Sequence, residues 1–419
     1  MIDYLARDCR LCGGRLDSVL HLGNLSLSDF PPADAQPEPR VPLDLCACHV
    51  CGTVQLRHTV PPDILFRQYW YRSGINEIMR AELADVVTQA LAQVGRLTQH
   101  DRVVDVGAND GTLLAAYRTQ PRARDITRIA FEPATNLQEI LHPQTEVLIA
   151  DYFPAGLQQV GGAAGRVKIL TSIACFYAVD APDAFVEAVA DLLHPEGIWI
   201  VQFQDLDQMI KATAFDNITF EHLVYYSLAS FEQLLVPHGL KIIDAVSRAI
   251  NGGSYRLTVA RGAHKPATGR VDTLRAREAG CQSWETLERF AWRVGQVREQ
   301  ITATVGSLRE QGRTIDLYAA STKANTTLQY CGLGPDAIRQ AWERSPEKVG
   351  RQTVTGIPIV SEETGRADPP DALLLGAWQF KDAFVQREAD YLRRGGSMIV
   401  PLPAVEIVTG NGKVGRVPA

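Results

Sequence analysis

Residues 101–117 read DRVVDVGANDGTLLAAY, and this stretch decides the fold. Arg102–Val106 is a short, mostly apolar run, the pattern of a strand covered on both faces. It passes into Asp105-Val106-Gly107-Ala108-Asn109-Asp110-Gly111, and a helical pattern follows at once. Gly107 and Gly111 let the backbone come close to a ligand at the carboxyl end of the strand. A glycine turn alone is weak evidence, and a dinucleotide fold of the dehydrogenase kind is the main rival.

The residues further along weigh against that rival. The turn does not follow GxGxxG, and acids flank its glycines, which suits a cationic sulfonium cofactor better than a pyrophosphate. About 25 residues on, Ile129-Ala130-Phe131-Glu132 ends a second strand in a carboxylate, placed to accept from two ribose hydroxyls. Ala150-Asp151-Tyr152-Phe153 then offers an acid and an aromatic to bracket adenine. These features together point to S-adenosylmethionine, with Asp105, Gly107, Asn109, Gly111, Glu132, Asp151 and Tyr152 as its contacts. Strand-like runs recur at Val167–Ser172 and Ile198–Phe203, with a helix at Pro182–Leu193. The alternation implies a mostly parallel sheet covered on both faces. Lys241–Val246 and Tyr255–Ala260, joined around Asn251-Gly252-Gly253, read as an antiparallel pair closing it. A helix is expected from Leu65 to about Gly95, and one long helix from about 270 to 311. A second α/β pattern starts at Arg313-Thr314-Ile315-Asp316-Leu317-Tyr318-Ala319-Ala320-Ser321 and continues through Ala372–Leu375 and Ser397–Val400. Its Ser321, Thr322 and Lys323 are candidate donors to phosphate or sugar oxygens.

Five of the eight cysteines precede residue 52. Cys9-x2-Cys12 and Cys48-x2-Cys51 form two matched knuckles, enough to fill the tetrahedral shell of a structural Zn2+. Cys46 leaves a second ligand set open. Pro31 to Pro42 reads as a loop within this module. The expected organisation is a zinc-binding module at 1–65, a Rossmann-like methyltransferase domain at 66–265, a helical linker at 266–310 and a second Rossmann-like α/β domain at 311–419. The 419 residues carry a net charge of −6, which argues against a nucleic-acid partner. No apolar run approaches the roughly 18 residues that span a bilayer. The opening residues lack the apolar core of a secretion signal, so a cytoplasmic protein is expected, and clustered cysteines there suggest metal before disulfide.

The chain resembles the nucleotide-sugar C-methyltransferases of deoxysugar biosynthesis. The resemblance rests on the paired cysteines, Tyr69-Trp70-Tyr71-Arg72-Ser73-Gly74, the glycine turn, Glu132-Pro133, Glu221-His222 with Tyr225-Tyr226-Ser227, and Tyr318-Ala319-Ala320-Ser321-Thr322-Lys323. Further matching blocks are Glu347-Lys348-Val349-Gly350, Ile357-Pro358-Ile359-Val360 and Gly395–Pro401. It implies a class I S-adenosylmethionine methyltransferase fold and methyl transfer to carbon beside a ketone on a thymidine-diphosphate sugar, through an enolate. It implies His222 as the base with Glu221 assisting, and Tyr71 reaching both cofactor and substrate. It also carries Ser73 and Ser172 to the cofactor, and Tyr225, Asn251 and Ser254 to the acceptor.

Three departures stand out. The family's histidine after the fourth strand is missing from Ser172-Ile173-Ala174-Cys175-Phe176-Tyr177, where Tyr177 is the substitute acid or donor. Thr219 and Phe220 replace a tyrosine and a histidine before Glu221. Ala324 follows Lys323 where glycine is common, and Ala377-Trp378-Gln379-Phe380 replaces Pro-Trp-His-Phe. Methylation of a hydroxyl is therefore the second reading, and a binding or scaffold protein the third. Monomer and homo-oligomer are both open.

Overall fold

Polar and apolar residues alternate through the N-terminal segment, and the chain there forms strands rather than loops. The computed structural model describes residues 4–27, 29–35, 39–95, 97–123, 125–160, 166–410 and 414–416. β1 (Leu16–Ser26) pairs antiparallel with β2 (Arg40–Cys48), and β2 with β3 (Val54–Leu56). The fourth strand of this sheet, Val224–Tyr225, comes from far along the chain. The sequence does not announce this sheet, and β2 begins inside the Pro31–Pro42 stretch expected to be a loop.

The expected helix from Leu65 to Gly95 is interrupted. A short helical turn covers Pro62–Phe66, an irregular strap runs from Arg67 to Asn76, and α1 (Glu77–Gln93) follows. Asn76 starts α1, its side chain accepting from Ile78 N and Met79 N at 3.0 and 3.4 Å. The central sheet then builds from β4 (Arg102–Val106), α2 (Thr112–Arg118), β5 (Thr127–Phe131), β6 (Val147–Ile149), β7 (Val167–Ile173), α3 (Pro182–Leu192) and β8 (Leu193–Gln204). β9 is the short Val224–Tyr225 strand, and α4 (Leu228–Leu235) leads to β10 (Leu240–Arg248) and β11 (Ser254–Arg261). The order is β10-β11-β8-β7-β4-β5-β6, parallel except for β11. Strand order reverses between β4 and β7, which opens a crevice at their carboxyl ends.

In place of one linking helix there are two, α5 (Gly269–Arg277) and α6 (Trp284–Glu310). Glu278 breaks them apart. Its carboxylate accepts from Leu228 N, Ala229 N and the Tyr255 hydroxyl at 2.9, 3.2 and 2.9 Å, which ties the end of α5 to the start of α4. A second Rossmann-like sheet follows from β12 (Ile315–Tyr318), α7 (Thr322–Cys331), β13 (Ala341–Glu343), β14 (Ile359–Ser361), β15 (Ala372–Leu375), β16 (Ser397–Val400), β17 (Glu406–Thr409) and β18 (Val414–Arg416). Its order is β14-β13-β12-β15-β16-β17-β18, parallel except for β17, which pairs antiparallel with both its neighbours. α7 docks on the N-terminal module: Gln329 exchanges two hydrogen bonds with the Ser26 backbone at 2.8 and 3.1 Å, and Asn325 donates to Asp29 O at 2.9 Å. No helix among the described residues is long and apolar enough to cross a membrane.

Candidate active site and metal centre

The two cysteine knuckles converge. Cys9–Cys51, Cys12–Cys48 and Cys12–Cys51 lie 3.5, 3.5 and 3.4 Å apart at sulfur, and all four sulfurs fall within 4.8 Å of one another. A ZnS4 tetrahedron with bonds near 2.3 Å has edges of about 3.8 Å, so the thiols fit the ion with little movement. Gly13 and Gly52 turn each knuckle at φ +68° and +72°. Cys46 stands apart, buried with its sulfur against the Asp44 carboxylate at 3.4 Å. The matched set Cys9, Cys12, Cys48 and Cys51 is the one brought together. Four thiolates leave no open position, so the zinc is structural.

A cavity of about 490 Å³ opens at the carboxyl ends of β4, β5, β7 and β8. Its donor half is lined by Tyr71, Ser73, Asp105, Gly107, Asn109, Glu132, Asp151 and Tyr152. Gly107 has φ +70°, and a Cβ there would press on Cys175 at 2.9 Å, so the turn admits only glycine. Glu132 is buried and accepts from Asn109 N at 2.7 Å and Ala134 N at 2.8 Å. Burial pushes its carboxyl up, and the two amides pull it back. Burial likewise pushes Asp105 up to about 7, against a 2.6 Å bond from the Thr171 hydroxyl. Asn109 and Asp110 have a task the sequence reading missed. Asn109 donates to Tyr71 O and accepts from Ser73 N, both at 2.9 Å, while Asp110 accepts from Gly74 N at 2.7 Å. The glycine turn thus holds the strap that carries Tyr71 and Ser73. Arg67 lies over the Tyr152 ring at 5.1 Å.

The other half of the cavity contains Tyr177, Glu221, His222, Ser254, Thr322 and Lys323, the last two contributed by α7 of the C-terminal domain. His222 Nδ1 lies 2.9 Å from Asn217 O. A carbonyl only accepts, so Nδ1 carries the proton and Nε2 keeps a lone pair. Burial pushes the imidazole down to about 4, and the Lys323 charge adds to this. Its ring meets Tyr177 edge-on at 4.2 Å. The group orienting His222 is the Asn217 carbonyl rather than Glu221. Glu221 Oε2 is buried without a hydrogen bond among the described residues, and burial pushes that carboxyl up. Burial pulls Lys323 down while the buried Asp216 carboxylate supports its charge. Trp378 Nε1 in turn donates to Asp216 at 2.8 Å.

Several expected residues lie elsewhere. Ser172 is fully buried, accepting from Trp199 Nε1 at 2.8 Å. Tyr225 is buried on β9, its hydroxyl 3.3 Å from Asn217 O. Ser321 caps α7, accepting from Ala324 N and donating to Gly376 O at 3.0 and 2.9 Å. Gly111 caps α2 at φ +78° and borders a separate cleft. None of these four lines the cavity. The Asn251 side chain lies outside the described residues. Gln202 and Gln204 do line it and were missed. The signal was two polar residues at alternate positions in the otherwise apolar run Trp199-Ile200-Val201-Gln202-Phe203-Gln204.

Comparison with known proteins agrees with this construction. A zinc binding domain model matches residues 9–66, a methyltransferase domain model 75–245, and a C-methyltransferase C-terminal domain model 249–403. The C-methyltransferase NovU of Streptomyces niveus is 30% identical over 416 residues, 96% of this chain and 97% of its own. Among solved structures, a methyltransferase in complex with the Haloferax volcanii Trm112 activator is 17% identical, covering 45% of this chain and 94% of that one at a TM-score of 0.35. An S-adenosylmethionine-dependent methyltransferase from Clostridium acetobutylicum is 11% identical, covering 44% and 92% at a TM-score of 0.34. With a cysteine cluster shaped for zinc, a glycine turn and buried acid at a cofactor-sized cavity, and a full-length relative, the chain belongs to the C-methyltransferase family that carries an N-terminal zinc module and uses S-adenosylmethionine.

Proposed function

We propose that this C-methyltransferase acts on a nucleotide-activated keto-deoxysugar, methylating the carbon beside the ketone, with His222 as the base. The observation that carries this reading is the fixed tautomer of His222: Nδ1 is committed to Asn217 O, so Nε2 is the atom left to take a proton. Its depressed pKa keeps it unprotonated at neutral pH, as a general base must be. The bound cofactor supplies an electrophilic methyl group on a cationic sulfur. Glu132 and Asp151 are suited to its ribose and adenosine end, and the Tyr71–Ser73 strap covers it. His222 removes the proton next to the carbonyl, and the electron pair moves onto the carbonyl oxygen. In this reading Tyr177, beside the ring, donates to the sugar, and the orphaned Glu221 oxygen meets a hydroxyl. Lys323, reaching in from the second sheet beside Thr322, supplies the positive charge a diphosphate seeks.

The test is proton exchange. Incubated with thymidine-diphosphate keto-deoxyglucose and S-adenosylhomocysteine in deuterated water, the protein should exchange the ring proton beside the ketone. His222→Ala should abolish that exchange. Methyl transfer to a sugar nucleotide without any exchange would instead favour a hydroxyl acceptor.

A further inference from the structure

Among the cavity's polar groups, one amide is held far more firmly than the mechanism above requires. Gln202 stands near the end of β8, directly across from Arg256 on β11. Its backbone carbonyl accepts from Ala174 N at 2.8 Å, where the chain leaves β7 at a positive φ of 57°. Its side-chain Oε1 accepts from Arg256 Nε at 2.9 Å. Arg256 is itself fixed by Glu82 and Asp85 of α1, at 2.6 and 2.7 Å. Arg248 completes the network, pairing with Glu82 at 2.5 Å.

A guanidinium has only donors, so it fixes which way the amide points: Oε1 toward Arg256, and Nε2 away from it. That Nε2 makes no hydrogen bond to any described residue, although Gln202 is only 2% exposed and lines the cavity. Unlike the buried Glu221 Oε2, this N–H stays open to the cavity, where an acceptor oxygen of a bound ligand completes its bond. The neighbouring polar groups differ: the Ser254 hydroxyl is committed to Ile250 O at 3.1 Å, and among the described residues no charged side chain hydrogen-bonds Gln204. The arginine behind the amide also polarises it, making the N–H a better donor to an oxygen that gains negative charge.

We propose that Gln202 touches the acceptor, donating from Nε2 to the carbonyl oxygen that becomes the enolate oxygen, with Arg256 as the positioning residue behind it. This rests on the keto-sugar reading above. In the step concerned, the C–H bond beside the ketone breaks, its proton passes to His222 Nε2, and its electron pair moves into a new C=C bond as the C=O pair shifts to oxygen. Gln202 holds that oxygen with a donor that needs no reorganisation.

The experiment uses the full-length, zinc-replete protein and Gln202→Glu, which keeps the length and a partner for Arg256 but removes the donor. Gln202→Met provides an uncharged second variant. The readouts are deuterium uptake into thymidine-diphosphate keto-deoxyglucose, affinity for S-adenosylhomocysteine, and the thermal midpoint. Loss of one such donor lowers rates by about 10²-fold, so exchange should fall on that scale in both variants, with cofactor affinity and midpoint kept. Exchange within threefold of wild type would overturn the assignment. So would a parallel loss of S-adenosylhomocysteine affinity, which would place the amide on the cofactor, or failure of both variants to fold, which would make it structural. Wild-type protein that binds S-adenosylhomocysteine but exchanges no proton would refute the keto-sugar reading, and the role of Gln202 with it.

Discussion

Replacing Glu132 by alanine tests the donor half of the cavity. A carboxylate offers about four lone-pair sites. Two are occupied, by Asn109 N at 2.7 Å and Ala134 N at 2.8 Å. The remainder are available to two ribose hydroxyls. Charge-assisted hydrogen bonds are worth about 1.5–3 kcal/mol each, so the two ligand bonds amount to about 3–6 kcal/mol before water replaces part of them. A residue of only about 1.4 kcal/mol is tenfold in affinity. Affinity for S-adenosylhomocysteine, measured by calorimetric titration, should therefore fall at least tenfold, with zinc content unchanged. The substitution also frees Asn109 N, whose residue anchors Tyr71 and Ser73, so the thermal midpoint should drop. Glu132→Gln, which keeps one acceptor, should fall between the two. Near-wild-type affinity alongside a lowered midpoint would show Glu132 to be a turn holder and refute its role at the ribose.

Cys48→Ser should abolish zinc in metal analysis and Cys46→Ser should retain it, because only Cys48 joins the sulfur cluster; the reverse result would reassign the ligand. His222→Ala should lower turnover by about 10²-fold or more while leaving S-adenosylhomocysteine affinity within twofold. In wild type the base is the deprotonated form and burial lowers its pKa to about 4, so turnover should persist as the pH falls below the ordinary histidine range and fail only on approaching that value; an acid limb near 6.5 in a pH–rate profile would show a solvated imidazole. Lys323→Ala should raise KM for the sugar nucleotide about tenfold or more, the scale of a lost charge-assisted bond, without changing cofactor affinity; equal KM values would exclude it from the diphosphate.

What was legible in the sequence is what local pattern encodes. Arg102–Val106, the positive-φ glycines and the cysteine spacing each follow from a few adjacent residues, and they lie as read. What was not legible depends on partners far along the chain. Val224–Tyr225 is too short to declare itself a strand and becomes one only by pairing with Val54 and Gln55. The break at Glu278 comes from amides some 50 residues earlier. Ser321 caps α7 and Ser172 meets the Trp199 N–H, contacts that residue type alone does not announce. Gln202 carries a local signal, a polar residue in an apolar strand, but its role depends on Arg256, which meets it from 54 residues further along.

The placement of His222 shows why the three parts of the chain act together. Immediately after it, Leu223 N donates to Tyr177 O at 2.9 Å, and Leu223 O accepts from Leu56 N at 2.8 Å. The first contact belongs to the central sheet and the second to the zinc module. In the knuckle itself, the buried Arg10 between Cys9 and Cys12 reaches Leu56 O at 2.5 Å, Thr59 at 2.7 Å and Asp180 at 3.0 Å. The metal site thus fixes the strand that fixes the backbone beside His222. From the other side, Trp378, in the short turn after β15, donates to Asp216, the residue before the Asn217 whose carbonyl orients the imidazole. Glu132, Gly107 and Asp105 stand on the central sheet, but the strap carrying Tyr71 and Ser73 beside them does not stand alone: Trp70 Nε1 donates to Asp29 at 2.5 Å and Arg72 lies 3.8 Å from Glu347, so all three parts of the chain hold both halves of the cavity.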